Sequence, residues 1–522
     1  MINPKAAPCD EGSIRSIAAA GNCAPSAKPW VLTAAILAST IAYVDESVVN
    51  VALPTIEKDL AASAIVIQWL VNAYTLSLAA LLLIGGATAD RFGRRKMFIV
   101  GVGLFAAASV CCGLAPDAAT LILARVLQGF GAALLIPCSL ALIGASFDEA
   151  ERGKAIGTWA GFSAIAAAVG PVLGGSIVDH FSWRWIFLIN PLLAVPAISI
   201  VLKHVPESTD PNATGKLDWI GAALALAGLT GLAFGLIAAP DFGWTDPRAL
   251  APASFGFALL VAFLWVEHRS AGPMLPLELF QSRTFSIVNL LTLLLYAALA
   301  AAFFFLPFAL IQVNGYSALL AGTAFLPFTI IMAALSRWSG GLLDRFGARL
   351  PLIVGPAVTA AGFGLLALTV RHGSYWAFLA SLTVLGVGMA IAVAPLTATV
   401  INAVPRHQTG IASGINNAVA SLASLLAVAV FGAVALGIYD RSLDRELALR
   451  PASAELTHAI DAARGKFATT IANGGEAQLA AQTIVKASLA HSIEIVMVFA
   501  SALALGGAAS GMFLPRSSTR RS

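Results

Sequence analysis

Two adjacent carboxylic acids, Asp45 and Glu46, lie in the stretch VDESVVNVALP, near the end of an apolar run that starts WVLTAAILAST. A third charged residue, Arg125, lies inside the apolar stretch LILARVLQGFGAA. A charged side chain within a membrane is costly unless it is paired or hydrated, so such residues typically mark ion or proton pathways. A carboxylate that titrates beside a fixed cation predicts proton-transfer chemistry.

The helical rise lets the depths of these groups be compared. At 1.5 Å per residue, Asp45 lies about 12 Å from the external end of its span, and Arg125 about 9 Å from the external end of an antiparallel span. Because the depths agree, we predict that Arg125 pairs with Asp45 and sets its affinity for protons. A purely structural ion pair is the alternative. Glu46 points about 100° away from Asp45, and we predict that it is an auxiliary acid in proton coupling that contacts substrate. It shares helical spacing with Tyr43 and Asn50, which predicts a polar cavity face.

The composition indicates which elements position these groups. Hydrophobic residues make up 58% of the 522 positions and charged residues 11%, whereas soluble domains contain about 25% charged residues. Apolar runs long enough to cross a bilayer recur fourteen times. Their continuous Ala, Leu and Gly content is typical of helices and not of barrel strands. We therefore predict an all-α integral membrane protein with fourteen transmembrane helices.

The spans form two six-helix halves with two helices inserted between them. The predicted units are a tail (1–29), a first half (30–205), the inserted helices with their linkers (206–284), a second half (285–513) with a long loop (439–487), and a second tail (514–522). Most of the 31 Lys and Arg residues fall in one set of loops. The positive-inside rule then places both tails in the cytoplasm and the long loop outside.

An internal repeat relates the two halves. GATADRFGRR (86–95) and GGLLDRFGAR (340–349) share Asp-Arg-Phe-Gly and occupy equivalent predicted cytoplasmic turns. Related halves are the hallmark of transporters that rock around a site near the bilayer midplane. The repeat therefore predicts a transporter.

Taken in order, these motifs resemble those of the major facilitator superfamily, and within it the fourteen-span drug:proton antiporters. VDESVVNVALP is similar to the first-span motif of that family, GATADRFGRRK to the loop after its second span, LILARVLQGFGAA to its fourth span, and GPVLGG (170–175) to its antiporter motif in the fifth span. The stretch SWRWIFLINPL (182–192) also resembles this family. The resemblance implies the major facilitator fold and proton-coupled multidrug efflux and drug resistance at the bacterial cytoplasmic (inner) membrane. It also implies a conformational role for Gly86, Asp90, Arg91, Gly93, Arg94, Gly170, Pro171, Gly174, Gly175, Asp344 and Arg345.

Polar side chains in the spans either line a substrate cavity or form hydrogen bonds between helices. The cavity candidates are Tyr43, Asn50, Gln68, Asn72, Asn289, Tyr296, Asn416 and Asn417. A set of aromatic residues could stack on planar or cationic solutes or pack against lipid. Its members are Phe303, Phe304, Phe305, Phe308, Phe325 and Phe328.

The sequence contains no phosphate-cradling GxxxxGK[ST] segment, no HExxH and no cysteine cluster with metal-ligand spacing. We therefore expect no enzyme, cofactor or metal, and energy from an ion gradient instead of ATP. The preferred function is a proton-coupled secondary exporter of small apolar or cationic compounds. The alternatives are a dedicated exporter of one endogenous metabolite or lipid and, in another class, a transport-inactive membrane receptor or scaffold.

The expected partners are a small-molecule substrate, protons and the lipid bilayer, with no nucleic acid. The sequence leaves partnership with a periplasmic adaptor and an outer-membrane channel open.

Overall fold

The computed structural model describes residues 28–147, 149–209, 218–270, 273–371, 374–404, 409–449, 453–468 and 475–515. Most of both predicted tails therefore lies outside the described residues. So do some side chains within the described helices, among them those of Asp90 and Asp344. Every regular element in the described part of the chain is helical.

The first half is built from seven helices. They are α1 (Lys28–Asp59), α2 (Ala64–Phe92), α3 (Arg94–Gly113), α4 (Ala118–Ser146), α5 (Glu149–His180), the short α6 (Trp185–Leu188) and α7 (Asn190–His204). The inserted pair is α8 (Trp219–Phe242) and α9 (Pro247–Arg269).

The second half starts with a 3₁₀ turn (Leu277–Gln281) and contains the remaining helices. These are α10 (Arg283–Phe308), continued by a π-turn (Ala309–Val313), α11 (Ala318–Ala324), α12 (Leu326–Gly340), α13 (Leu342–Phe346), α14 (Pro351–Thr369), α15 (Tyr375–Asn402), α16 (Thr409–Ala448), α17 (Ala454–Asp461) and α18 (Glu476–Gly511).

Local sequence sets where many of these helices begin. Asp117 accepts a hydrogen bond from the Thr120 backbone N–H at 2.8 Å, and Ser317 accepts one from Leu320 at 3.2 Å. Such N-caps satisfy backbone donors that would otherwise lack a partner at the membrane boundary.

Thirteen helical segments among the described residues are long and apolar enough to cross a membrane. The one remaining predicted span is the fifth along the chain and corresponds to α5, which is 32 residues long, or about 48 Å at the helical rise. Several of its side chains lie outside the described set. Its apolar stretch, Ile165–His180, is shorter than each of the other thirteen segments. The predicted all-helical membrane architecture is confirmed.

Each half forms its own bundle. In the first half α4 packs on α2 and α3, and α1 packs on α5 and α7; in the second, α14 packs on α15 and α18, and α10 on α16 and α18. The inserted helices α8 and α9 pair with each other. In addition, α8 touches both α2 and α16, so the inserted pair covers one of the seams between the halves.

The halves meet along two seams, α2 with α16 and α5 with α11 and α12. We call the end of the bundle where α1 begins the proximal face and the end where α1 finishes the distal face. At the distal end, Gly175 of α5 lies against the Ala318 backbone, and Gly322 of α11 lies against the Pro171 backbone. A Cβ on either glycine would overlap the facing main chain. The distal contact between the halves is therefore a direct backbone-to-backbone approach.

The helices around the long loop extend beyond the predicted spans. Helix α16 continues to Ala448 and α18 begins at Glu476, so the connecting segment is shorter than the predicted 439–487. Within it, α17 is capped by Ser453, whose hydroxyl accepts from the Leu456 N–H at 3.2 Å. Apolar content reports only the part of a helix inside the bilayer, and a helix can continue into water with a polar surface.

Candidate functional site

Asp45 and Arg125 form a buried ion pair, as their depths predicted. Asp45 Oδ2 lies 2.5 Å from Arg125 Nη1, and the two side chains are 0% and 2% exposed. Asp45 belongs to α1 and Arg125 to α4, which pack together within the first half. Two complementary charges are therefore enclosed in one half of the molecule, where little solvent screens them.

Two amide side chains complete the surroundings of the Asp45 carboxylate. Its Oδ1 atom accepts hydrogen bonds from Gln128 Nε2 at 2.7 Å and from Asn190 Nδ2 at 2.8 Å. Both amides also donate to the Ser109 hydroxyl, which in turn donates to the Phe187 carbonyl at 2.9 Å. All of these polar side chains are buried. Asp45 thus lies in a connected network that draws on α1, α3, α4 and α7.

Sequence reasoning missed Gln128, Asn190 and Ser109. Gln128 follows Arg125 by three residues and so shares its helix face, and Asn190 lies in the WIFLINPL stretch. These positions are the features of the sequence that could have indicated Gln128 and Asn190. Ser109 carried none, because a small hydroxyl in an apolar helix commonly bonds to its own backbone.

The Arg125 guanidinium is held from other directions as well. Its Nη1 donates to Gln128 Oε1 at 2.8 Å, and its Nε donates to the Leu70 carbonyl at 3.4 Å. Its central carbon lies 4.4 Å from the centre of the Tyr74 ring, which is a cation–π distance. Tyr74 is buried, and its hydroxyl has no hydrogen-bond partner among the described residues. Arg125 is therefore held by contacts from α1, α2 and α4.

Glu46 lies outside this network. Its side chain is exposed, whereas neighbouring Asp45 is buried. Tyr43 is partly buried on the same helix, and α1 contacts α10, which carries the partly buried Tyr296. Asn50 is partly buried and donates to the Glu46 backbone carbonyl at 3.2 Å. The structure thus places Tyr43 and Glu46 on α1 and Tyr296 on α10, two helices from different halves that contact each other.

The remaining cavity candidates are mostly packed away in this conformation. Gln68 and Asn72 of α2 are fully buried, and none of their side-chain amide atoms has a partner among the described residues. Gln68 lies directly against Gly432 of α16, in the seam between the halves.

Two further candidates form a hydrogen bond between helices. Asn416 donates to Asn289 at 3.1 Å and to Thr292 at 2.7 Å, which joins α16 to α10. Only Asn417 is exposed among the asparagine candidates of the second half.

The first copy of the repeat forms a tight turn at the proximal face. Gly93 follows the end of α2 with a φ of 110°, a backbone conformation that favours glycine. The Glu207 carboxylate accepts from the Arg95 and Lys96 N–H groups at 3.0 Å each, and the Arg94 N–H donates to the Ser208 carbonyl at 2.9 Å. The linker after α7 therefore anchors the start of α3.

The second copy also turns at a glycine with a positive φ. Gly347 follows the end of α13 with a φ of 68°, at the position equivalent to Gly93. Arg91 and Arg345 are both exposed, and Gly86 has ordinary space around it. The predicted latch residues Asp90 and Asp344 have backbones in α2 and α13, and their side chains lie outside the described set.

The GPVLGG stretch packs on two partners. Gly170 and Gly174 lie against Ser47 and Val48 of α1, whereas Gly175 faces α11 across the seam. One turn later, the Asp179 carboxylate accepts hydrogen bonds from the Ala318 and Leu319 N–H groups at 3.0 and 2.7 Å. A carboxylate on the first turn of α11 also interacts favourably with the helix dipole.

The segment after α17 adds a second distal contact between the halves. The Phe467 N–H donates to Glu57 Oε1 of α1 at 2.8 Å, and the Ala64 N–H of α2 donates to the Gly465 carbonyl at 2.8 Å. The Phe467 ring packs edge-on against Phe305 with centroids 5.4 Å apart, beside Phe304 and Phe308. These phenylalanines are buried protein core, which leaves them neither a solute platform nor a lipid-facing surface.

Metal chemistry finds no support in these surroundings. Among the described residues, no group of three or more His, Cys, Asp or Glu side chains is placed to hold a metal ion.

Comparison with known proteins bears on the family. A family model described as Major Facilitator Superfamily matches residues 35–428. The chain belongs to the major facilitator superfamily. The folds of solved structures agree with this assignment. A bacterial homologue of the human lysosomal transporter Spinster, in an inward-facing and unoccupied conformation, aligns with a TM-score of 0.66 at 17% identity. The alignment covers 93% of this chain and 98% of that one. A D-xylose-proton symporter aligns with a TM-score of 0.56 at 17% identity, over 78% of this chain and 90% of that one.

Several superfamily members with closer sequences are resistance proteins. The multidrug resistance protein Stp of Mycobacterium tuberculosis is 34% identical over 78% of this chain and 75% of its own length. The tetracenomycin C resistance and export protein of Streptomyces glaucescens is 32% identical over 78% and 76% of the two chains. The puromycin resistance protein pur8 of Streptomyces alboniger is 36% identical over 78% and 82%.

Proposed function

We propose that this superfamily member exports small apolar or cationic compounds in exchange for protons, by alternating access of one central site to the two faces. Relatives named for multidrug resistance and for antibiotic resistance and export support the direction of transport and the substrate class. The observation that carries proton coupling is the enclosed Asp45 carboxylate beside Arg125.

The hydrogen bonds around Asp45 link protonation to the network. An ionised carboxylate can accept from Arg125, Gln128 and Asn190 at once, because it has four lone-pair sites and no hydrogen to place. A protonated carboxyl loses its charge and part of that acceptor capacity, and its hydroxyl needs an acceptor among groups that all donate to Asp45. Proton binding therefore weakens the network. Water reaching Asp45 from one face at a time would let it gain a proton on the distal side and release it on the proximal side.

Glu46 is the proposed contact for cationic substrates. Its side chain is exposed on α1, which contacts α10 of the second half, and the partly buried Tyr43 of α1 and Tyr296 of α10 offer rings that can stack on planar cations. A cation bound at Glu46 adds positive charge near Asp45 and favours the deprotonated form of Asp45. Substrate binding and proton release are then coupled without a shared contact.

The distal contacts suggest which step this conformation represents. Gly175, Gly322 and Asp179 join the halves at the distal face, and Phe467 bridges them nearby. In our proposal the protein lies in the bacterial inner membrane, and both the proximal face and the two termini are on its cytoplasmic side, as the positive-inside rule indicates. The site then loads from the cytoplasm, and export requires the distal contacts to open.

Reconstituted full-length protein tests the proposal. Proteoliposomes with a trapped pH-sensitive dye are given ethidium as a cationic probe and a neutral apolar antibiotic as a second probe. We expect each compound to drive proton movement, Asp45→Asn to abolish it, and Glu46→Gln to weaken the response to ethidium more than the response to the neutral compound. Glu494→Gln is the matched control, because Glu494 pairs with Arg371 at a partly exposed site in the second half.

The opposing outcomes separate the alternatives. A transport-inactive receptor or scaffold moves no protons with any compound. A dedicated exporter responds to one endogenous molecule and not to a panel of unrelated compounds. Transport that persists at full rate after the proton gradient is collapsed would overturn the coupling mechanism.

A further inference from the structure

A cleft of about 540 Å³ lies between the proximal ends of α10 and α18, away from the ion pair. Helix α10 lines it with one face, at every third or fourth residue from Arg283 to Leu290. Gly506, Ala509 and Ser510 of α18 line the other side, with Phe513 just after the end of that helix. Leu290 is 46% exposed and Phe513 is 62% exposed, so the cleft opens on the outer surface of the second half. In a membrane protein that surface faces lipid.

The cleft has a narrow, apolar form. Its α18 side carries the small residues Gly506, Ala509 and Ser510, and larger apolar side chains such as Ile287 and Leu290 stand opposite. The first and last lining residues on each side are seven positions apart, so the cleft is about 10 Å long at the helical rise. The volume falls within the range of about 300–1,000 Å³ seen for small-molecule sites. These dimensions suit the upper part of one acyl chain.

A cation stands at the proximal end of the cleft. Arg283 is exposed and forms no hydrogen bond or ion pair through its side chain with another described residue. The nearby Ser286 hydroxyl instead donates to the Phe280 carbonyl at 2.6 Å. The Arg283 guanidinium is therefore available to a ligand at the proximal end of the cleft.

We propose that this cleft binds an anionic phospholipid of the cytoplasmic leaflet. The headgroup phosphate pairs with the Arg283 guanidinium, which matches phosphate geometry, and one acyl chain lies along the α10–α18 cleft. Basic pockets between helices on the cytoplasmic side are the usual places where proteins recognise anionic headgroups. The inference rests on the proposed orientation of the proximal face and is independent of transport.

Native mass spectrometry of the purified full-length protein tests this inference. The protein in detergent is titrated with phosphatidylglycerol and, separately, with phosphatidylcholine of the same acyl chains. We expect preferential retention of phosphatidylglycerol, and a loss of about fivefold in that preference for Arg283→Gln. The matched control is Arg269→Gln, because Arg269 is also a proximal, exposed arginine but stacks on Trp265 at 4.2 Å outside the cleft.

A second variant tests the cleft itself. Ala509→Phe fills the space between the helices, so we expect weaker retention of both lipids with the remaining headgroup preference intact. Equal retention of the two lipids by the wild-type protein would overturn the proposal, and so would an unchanged preference in Arg283→Gln. Equal losses in Arg269→Gln and Arg283→Gln would reduce the effect to general surface charge and would also overturn it.

Discussion

The roles of Asp45 in stability and in coupling can be separated by a double-mutant cycle with Arg125. Asp45→Asn leaves the Arg125 cation buried without its counter-charge, and it places an amide NH₂ among groups that donate to Asp45. Breaking one side of a buried pair costs about 3–5 kcal/mol, a large share of a total stability of about 5–15 kcal/mol. Arg125→Gln should cost a similar amount, because it leaves the carboxylate buried.

The double variant removes both charges together. Replacing a buried pair by neutral groups of similar shape is often close to neutral, so we expect it to recover most of the lost stability, with a coupling energy of about 3 kcal/mol. Proton-driven transport should stay absent, because no titrating group remains at the site. Arg371→Gln with Glu494→Gln gives the comparison: that pair is partly exposed and should show a coupling energy below about 1 kcal/mol.

The assay measures thermal unfolding and proton-coupled transport on the same purified preparations. If the double variant regains both stability and proton-driven export, the pair is structural and Asp45 is not the proton carrier. If Asp45→Asn unfolds at the wild-type temperature, the energetic account of the network is wrong.

Three further predictions concern orientation, the seam and the proximal turn. In a variant without native cysteines, Ser453→Cys should react with an impermeant thiol reagent in intact cells; labelling only after lysis would reverse the topology. Gln68→Leu removes a buried amide without a described partner, whose desolvation costs about 1–3 kcal/mol. The variant should favour the distally closed state, so cysteines introduced in the distal seam should be labelled more slowly. Faster labelling would contradict this. Gly93→Ala should lower the unfolding temperature more than Glu207→Gln, because only Gly93→Ala also strains the backbone at a positive φ. Equal effects would mean that the Glu207 contacts alone determine the stability of this turn.

The pairing of Asp45 with Arg125 could be predicted because the cost of charge in a bilayer requires a partner at equal depth. The amides of Gln128 and Asn190 could not, because their contact with Asp45 depends on how several helices meet. A polar residue in an apolar helix has many potential partners, and sequence alone does not choose among them.

The predicted cavity candidates show a different limit of prediction from sequence. Gln68 and Asn72 are polar and inside a span, as expected, yet both are fully buried in this conformation, and Gln68 lies in the seam between the halves. Whether a residue lines a cavity depends on the relative position of the halves, which helical periodicity does not encode. The contact of Phe467 with Glu57 was likewise invisible, because loop residues carry no periodic signal.

Every group that holds the Asp45 carboxylate belongs to α1, α3, α4 or α7, all within the first half. A rigid rotation of one half against the other would leave those distances unchanged. Such a rotation therefore cannot couple transport to proton binding by separating Asp45 from Arg125. What such a rotation can alter is the route by which water reaches the carboxylate and the charge of whatever occupies the neighbouring space at Glu46. A compound would then need no particular atoms to displace the proton, only a suitable size and charge. One titrating residue could in this way serve chemically unrelated cargoes.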